Sequence, residues 1–257
     1  MDLPHNRFKH AIARGELQIG LWASMCSTIA ADIMIEAGYD WIVIDGEHSP
    51  NTLDSTLAQL QVLARCHSEP VVRVPWNDMV TFKLMLDIGA QTLLVPYVQN
   101  GEEARRAVDA TRYPPKGNRG AAGGARGSRF GRVKDYFAKA ESELCLLLQA
   151  ETKDAIDCIE DIAKIDGVDG VFIGPNDLSA SVDRLGDRMH RDVQGLIEDA
   201  QKRIKAAGKA SGILATGDAE AQRYIDLGYT FVAVGVDTGI YAKGIDDLAK
   251  RFGRGPK

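Results

Sequence analysis

Short apolar runs and amphipathic stretches alternate along this chain with little between them. Runs rich in Val, Ile, Leu and Phe fall at 18–23, 41–45, 70–74, 92–98, 144–150, 170–173, 210–215 and 231–235. Several are apolar without alternation (Trp41-Ile42-Val43-Ile44, for instance), the pattern of a strand buried on both faces. The segments between them have helical periodicity, at 28–37, 53–66, 78–88, 102–111, 153–165, 193–207, 219–227 and 239–252. A further short helix is expected to lead the chain, within 5–14, with Phe8, Ala11 and Ile12 on one face. Gly38, Gly89, Gly208 and Gly228 each close a helical stretch just before the next strand, as a helix C-cap does. Eight strands alternating with eight helices imply parallel pairing through right-handed crossovers. That count favours closure into a (β/α)8 TIM barrel over an open doubly wound sheet. No Gly-x-Gly-x-x-Gly follows the first strand, which lowers a dinucleotide-binding reading. One domain, 1–252, is expected, with an unstructured tail at 253–257.

Composition narrows the partners. A length of 257 residues suits one barrel, and a 45% apolar fraction suits a buried core. A formal charge of −5 offers no general attraction to nucleic acid or to anionic lipid. No run is long enough for a membrane span, and the first residues lack the apolar region of a secretory signal. The cysteines (Cys26, Cys66, Cys145, Cys158) form no CxxC pair and read as reduced thiols. The expectation is a soluble, cytoplasmic protein.

Residues 113–143 break the rhythm. The segment is long for an α-to-β connection and locally basic, with Arg119, Arg126, Arg129 and Arg132. It reads as a solvated loop or as a loop that handles an anionic substrate; an RNA-binding segment fits less well, because it is short and clamped between core elements. It leaves the barrel on the face opposite the strand C-termini. To meet a substrate it must climb its own barrel or cross to a neighbour's.

Barrel active sites sit at the C-terminal ends of the strands. There this sequence places Asp45, Glu47 and His48 after the second strand and Arg73 in the third. Gln149 and Glu151 end the fifth, Gly174-Pro175-Asn176-Asp177 the sixth, and Asp237 the eighth. Histidine is the side chain whose charge changes near neutral pH, and a neighbouring carboxylate can steer it. A guanidinium inside Val71-Val72-Arg73-Val74 has to be paired or to face the barrel mouth. Several converging carboxylates repel one another, a conflict that a divalent cation resolves; oxygen ligands alone suit Mg²⁺ or Mn²⁺ better than Zn²⁺. Taken singly, Glu151 and Asp177 read first as helix N-terminal acids, and His48 as an ordinary polar residue before Ser49-Pro50. Asp40 and Asp169 precede strands, so they belong to the opposite face and to stability.

Five motifs in order carry a resemblance. Asp45-Gly46-Glu47-His48-Ser49-Pro50-Asn51, Pro70-Val71-Val72-Arg73-Val74-Pro75, Tyr113-Pro-Pro-x-Gly-x-Arg-Gly120, Gln149-x-Glu151 and Gly174-Pro-x-Asp-Leu178 resemble the HpcH/HpaI family of metal-dependent class II pyruvate aldolases. The resemblance spans nearly the whole chain and is nearest to the 2-dehydro-3-deoxyglucarate aldolases. It implies that Glu151 and Asp177 ligate a divalent metal ion, Mg²⁺ or Mn²⁺, with Co²⁺ as a substitute in vitro. It implies that His48, oriented by Asp45, is the catalytic base, and that Arg73 meets the pyruvyl keto oxygen. Gln149, Gly174, Pro175, Asn176 and Asp177 would line the substrate pocket, with backbone N–H groups around Gly174, Asn176 and Asp177 holding the carboxylate. Glu47 has no assigned role. The family also implies a homohexamer, a trimer of dimers with exchanged helices and active sites near subunit boundaries.

The implied reaction is reversible cleavage of a 4-hydroxy-2-oxo acid to pyruvate and an aldehyde. For 2-dehydro-3-deoxyglucarate the aldehyde is tartronate semialdehyde. Two departures bear on the aldehyde: position 176 is Asn where the glucarate enzyme has Ser, and the loop after Gly120 differs from that enzyme's. The alternatives are a related lyase acting on an acyl-CoA thioester and a non-catalytic barrel that binds oxo acids. A Schiff-base aldolase needs a lysine at a strand end, and none of the eight strands ends in one.

Overall fold

The computed structural model describes residues 1–255. In chain order the elements are α1 (Arg7–Ala13), β1 (Gln18–Ala23), α2 (Thr28–Ile35), β2 (Trp41–Asp45), α3 (Leu53–Leu63), β3 (Glu69–Arg73), α4 (Met79–Asp87), β4 (Thr92–Val95), α5 (Gly101–Thr111) and α6 (Tyr136–Lys139). They continue with β5 (Cys145–Ala150), α7 (Lys153–Asp157), α8 (Ile159–Ala163), β6 (Gly170–Ile173), α9 (Pro175–Ser181), α10 (Arg191–Ala206), β7 (Ala210–Leu214), α11 (Asp218–Asp226), β8 (Phe231–Val236) and α12 (Asp237–Arg251). The strands pair in parallel in sequence order and β8 closes on β1, so the barrel expected from the repeat is what forms. Of the expected tail, 253–255 carry no helix or strand, and 256–257 lie outside the described residues. No helix among the described residues is long and apolar enough to cross a membrane.

Period-two alternation sorts each strand into two layers. Ile42, Ile44, Val72, Leu146, Leu148, Val171 and Ile173 belong to the layer that the helices cover. Trp41, Val43, Val71, Cys145, Leu147, Phe172 and Phe231 fill the barrel interior, together with Phe8 and Ile12 of α1, which plugs the floor. Phe8 packs 5.5 Å from both Trp41 and Phe231, ring centre to ring centre. Glycine makes room for these rings: a Cβ on Gly20 would lie 2.3 Å from the Trp41 ring, and one on Gly212 2.0 Å from that of Phe231.

The same alternation aims the chemistry. On β2 the inward positions are Trp41, Val43 and Asp45; on β3, Val71 and Arg73; on β5, Cys145, Leu147 and Gln149. Asp45, Arg73 and Gln149 are therefore the last inward residues before the barrel opens. The βα loops there end in N-caps that fix where each helix starts: Ser27, Thr52, Asp78, Asn100 and Thr152 all accept from first-turn backbone N–H groups. Asp40 and Asp169, at the other end, accept from Ile19 N and Leu146 N at 2.8 Å each, which places them in the framework as expected.

Some elements differ from the sequence reading. The run 92–98 stops as a strand at Val95, because Pro96 has no N–H and Tyr97 takes the left-handed conformation (φ 57°). The helix expected over 153–165 is broken at Cys158 into α7 and α8. The residues after Gly174 form a helix, α9, with Pro175 in its first turn. Segment 113–143 is largely exposed, as a solvated loop would be, but it is pinned by a few buried residues and does not climb its own barrel. Arg119 is buried, stacks over Tyr113 at 4.5 Å and reaches Asp87 at 3.3 Å. Arg126 donates to Ile88 O at 2.7 Å and to Leu60 O at 3.4 Å, carbonyls at the C-terminal ends of α4 and α3. These two arginines tie the loop to the floor side of its own barrel and are not free for a substrate there.

Candidate active site

Asp45 and Arg73 are direct partners in the β2–β3 register. Arg73 Nε and Nη2 donate to the two Asp45 oxygens, both at 2.8 Å. Asp45 Oδ1 also accepts the N–H groups of Glu47 (3.0 Å) and His48 (3.3 Å). Burial alone would raise the Asp45 pKa. The Arg73 hydrogen bonds and charge, helped by the two N–H groups, outweigh it and hold the carboxyl below its usual range. Trp22 lies under the guanidinium, 5.0 Å from its carbon.

This corrects the expected Asp45–His48 pair. Asp45 meets only the backbone of His48. The imidazole stands out from the rim, 65% exposed, with Nε2 3.8 Å from Glu47 Oε1. The carboxylate beside the histidine is therefore that of Glu47, the residue left without a role. Its other oxygen, Oε2, lies 2.7 Å from Arg73 Nη1 but receives no hydrogen bond of proper geometry. Burial raises the Glu47 pKa; Arg73 and His48 oppose that rise, and Asp45 and Asp177 add to it. Ser49 and Asn51 belong to the framework: both donate to Asp45 O, and Asn51 accepts from Gln59 at 2.6 Å, so this end of β2 is tied to α3.

Glu151 is buried at the end of β5. Its carboxylate accepts Tyr97 N at 2.7 Å and the amide of Gln149, whose own carbonyl oxygen is buried without a partner. Burial drives the Glu151 pKa up; the Gln149 hydrogen bond opposes this, the Glu47 and Asp177 charges push further, and the group settles at about 7. Gly174 is needed beside it, because a Cβ there would stand 2.5 Å from Glu151 Oε2. The Gly174 N–H is taken by Ala150 O at 3.3 Å, so it is not the free donor expected for a bound carboxylate. Pro175 has no N–H. That leaves Asn176 and Asp177, whose N–H groups have no acceptor within the first turn of α9.

Asp45, His48, Arg73, Gln149, Gly174, Pro175, Asn176 and Asp177 all line one open cavity at the mouth, with Glu151 beneath it. No lysine lines that cavity. Asp237 does not contribute a free carboxylate: it anchors the loop after β1, accepting Ser24 N at 2.9 Å and Met25 N at 3.0 Å. Tyr97 and Trp22 were not singled out in the sequence. The left-handed residue after Pro96 leaves no composition signal, and a tryptophan in an apolar strand looks like core.

The mouth thus holds three mutually repelling carboxylates, with one arginine already committed to two of the site's acids. Comparison with known proteins agrees. The sequence profile of the HpcH/HpaI aldolase/citrate lyase family matches residues 18–243. This chain belongs to that family. A 4-hydroxy-2-oxo-heptane-1,7-dioate aldolase of Klebsiella pneumoniae is 53% identical over 249 residues, covering 96% of this chain and 94% of the relative. The crystal structure of a family member from Burkholderia cenocepacia superposes with a TM-score of 0.93 at 37% identity, over 96% of this chain and 99% of the other. An HpcH/HpaI aldolase from Desulfitobacterium hafniense does so with a TM-score of 0.89 at 25% identity, covering 96% and 97%. The expectation of an aldolase-type carbon–carbon lyase is borne out. For the aldehyde, the comparison points to relatives named for a heptanedioate, where the sequence motifs had pointed to the glucarate enzyme.

Proposed function

We propose that this HpcH/HpaI aldolase cleaves a 4-hydroxy-2-oxo acid between C3 and C4, reversibly, to pyruvate and an aldehyde. The observation that carries the reading is the convergence of Glu47, Glu151 and Asp177 on a mouth where the buried Gln149 oxygen also lacks a partner. An all-oxygen set with excess negative charge fits a hard divalent cation. Glu151 and Asp177 would hold it, Mg²⁺ or Mn²⁺, and when bound it supplies Lewis acidity to the oxygens of the 2-oxo acid.

The chain's own residues do the rest. The N–H groups of Asn176 and Asp177 bind the pyruvyl carboxylate. His48, with Glu47 beside its imidazole, accepts the proton of the C4 hydroxyl. The C3–C4 electron pair then passes into the pyruvyl fragment as the aldehyde leaves. Arg73, held in place by Asp45, faces the keto oxygen where negative charge gathers, and Gln149 walls the same pocket. A proton returned to C3 completes pyruvate.

The named relatives favour a 4-hydroxy-2-oxo dioate as substrate. Cleavage of the seven-carbon dioate leaves a four-carbon semialdehyde with a terminal carboxylate; the glucarate analogue leaves tartronate semialdehyde. Both aldehydes carry an anion, and Arg73 is already engaged. Exposed groups fit a second copy of the chain: α12 leaves Ile240, Tyr241, Ile245 and Leu248 exposed, and Arg129 and Arg132 stand at the exposed tip of segment 113–143. Helix exchange through α12 in a homohexamer would cover the first and bring the second to a neighbour's mouth. A cytoplasmic location goes with four free thiols. Pyruvate release from a panel of 4-hydroxy-2-oxo acids tests the assignment: the heptanedioate should give the highest kcat/KM, and preference for a neutral aldehyde would overturn it.

A further inference from the structure

A second cluster of metal-ligating side chains lies far from the mouth. Among the described residues, one set of three His, Cys, Asp or Glu side chains brings its ligand atoms within 4.8 Å of one another: His5, His10 and Glu143. They sit at the barrel floor, where α1 meets the short 3₁₀ turn Ala140–Glu143 that leads into β5. We propose that His5, His10 and Glu143 form a binding site for one divalent transition ion of the zinc class, which clips α1 onto the floor of the barrel.

The spacing carries this. His10 Nε2 lies 3.1 Å from Glu143 Oε2, and His5 Nδ1 lies 3.4 Å from the same oxygen. Ligand atoms on a tetrahedral ion with bonds of ~2.0–2.1 Å stand about 3.3 Å apart, so each histidine is already at a ligand separation from Glu143. The two imidazoles stack with centres 4.3 Å apart and planes 18° from parallel, each with one nitrogen near the same carboxylate, so the rings must splay for both lone pairs to meet one ion. No lysine or arginine pairs with Glu143, whose ion-pair partners among the described residues are these two histidines.

The support around the ligands is built as well. Asn6 N–H donates to Glu143 Oε2 at 2.7 Å, and Asn6 Nδ2 donates to Glu143 O at 3.1 Å and to Thr92 Oγ1 at 2.9 Å. Asn6 also caps α1 by accepting Lys9 N. One buried residue thus fixes both the carboxylate and the helix that carries His10, the kind of outer contact that orients metal ligands. Two imidazoles and a carboxylate select Zn²⁺, Ni²⁺, Co²⁺ or Cu²⁺ over Mg²⁺, and three protein donors leave a fourth position for water. The oxygen-rich mouth suits Mg²⁺ or Mn²⁺, so the two sites differ in donor chemistry. Because Phe8 and Ile12 of α1 plug the barrel interior, an ion that binds only the docked helix stabilises the fold by mass action.

The test is equilibrium dialysis of the full-length protein against Zn²⁺ in saturating Mg²⁺, comparing wild type with His5→Ala, His10→Ala and Glu143→Gln. Wild type should hold one more zinc ion per chain than His10→Ala. Each single variant should bind that ion at least about 10–100-fold more weakly. Zn²⁺ should raise the Tm of wild type and not that of His10→Ala, while Mg²⁺-supported turnover stays the same in both. Equal zinc stoichiometry in wild type and a His5→Ala/His10→Ala double variant would overturn the proposal. So would a zinc-induced Tm rise that survives both substitutions.

Discussion

Arg73 faces Asp45 across the β2–β3 register and takes both of its oxygens at 2.8 Å. The pair sits at the last inward positions of two strands, so it is at once the top layer of the barrel core and the floor of the mouth. Its third partner, Glu47 Oε2, stands 2.7 Å from Nη1. One guanidinium therefore organises two acids, and those acids hold its plane toward the cavity.

Removing one side of a buried pair leaves the other charge uncompensated, which typically costs about 3–5 kcal/mol. Asp45→Ala should lower the unfolding free energy by about 3 kcal/mol, since Glu47 retains part of the charge balance. Arg73→Lys keeps the charge but loses the fork, so kcat should fall about 10²-fold with a smaller loss of stability. Urea unfolding and steady-state kinetics on the two variants separate these effects.

Gly174→Ala should disable the site without strain in its own backbone. Its φ of −94° suits alanine, yet the added Cβ would stand 2.5 Å from Glu151 Oε2 and 2.8 Å from Glu151 Cβ. The carboxylate can swing aside but the buried Glu151 Cβ cannot, so the backbone must shift: Mg²⁺ affinity should drop about 10–100-fold and Tm should fall as well. Isothermal titration with Mg²⁺ reads the first and a thermal scan the second.

In the metal-free protein, Glu151 titrates at about 7 when folded, against ~4.3 in an unfolded chain. Between those values the folded state holds the extra proton. Its stabilising contribution is thus complete below the unfolded pKa and is lost as pH rises through 7. Metal-free Glu151→Gln should be more stable than metal-free wild type at pH 8, by up to about 3 kcal/mol, and should match it near pH 4. Asp45 behaves oppositely, its contribution disappearing as pH falls through its depressed folded pKa. Denaturant melts in chelator from about pH 2 to pH 8 check both signs, Asp45 below about pH 4 and Glu151 above it.

His48→Ala should lower kcat by about 10²–10⁴-fold, the usual scale for a general base, and leave Mg²⁺ binding and stability intact because the side chain is 65% exposed. Glu47→Gln should lower kcat as well, through the imidazole it adjoins. If Glu47→Gln is fully active, the neighbouring carboxylate is a bystander.

The barrel was legible because its signal is repeated: eight apolar runs separated by periodic helices leave few topologies, and glycine marks the αβ turns. The residues of the mouth were legible because strand C-termini face one side, and Arg73 in an apolar strand had no other place to point. Their pairing was not. Asp45 and His48 are three apart in a turn, so sequence suggests contact, but register puts Arg73 directly opposite Asp45 and the two-point bond wins. Glu47 gained its place beside the imidazole only when the turn was seen. The loop arginines misled for a related reason: charge reads as solvent or substrate, yet Arg126 caps helix carbonyls and Arg119 is buried against Tyr113.

The proposed function requires Glu151 and Asp177 to hold a hard cation without which the mouth cannot turn over a 4-hydroxy-2-oxo acid. Pyruvate release should be measured on chelator-stripped wild type, then again after Mg²⁺ or Mn²⁺ is returned, with Glu151→Gln and Asp177→Asn alongside. Release should be negligible from the stripped enzyme, recover in wild type on adding either ion, and stay weak or absent in both variants. Full turnover by the exhaustively chelated enzyme would contradict that requirement.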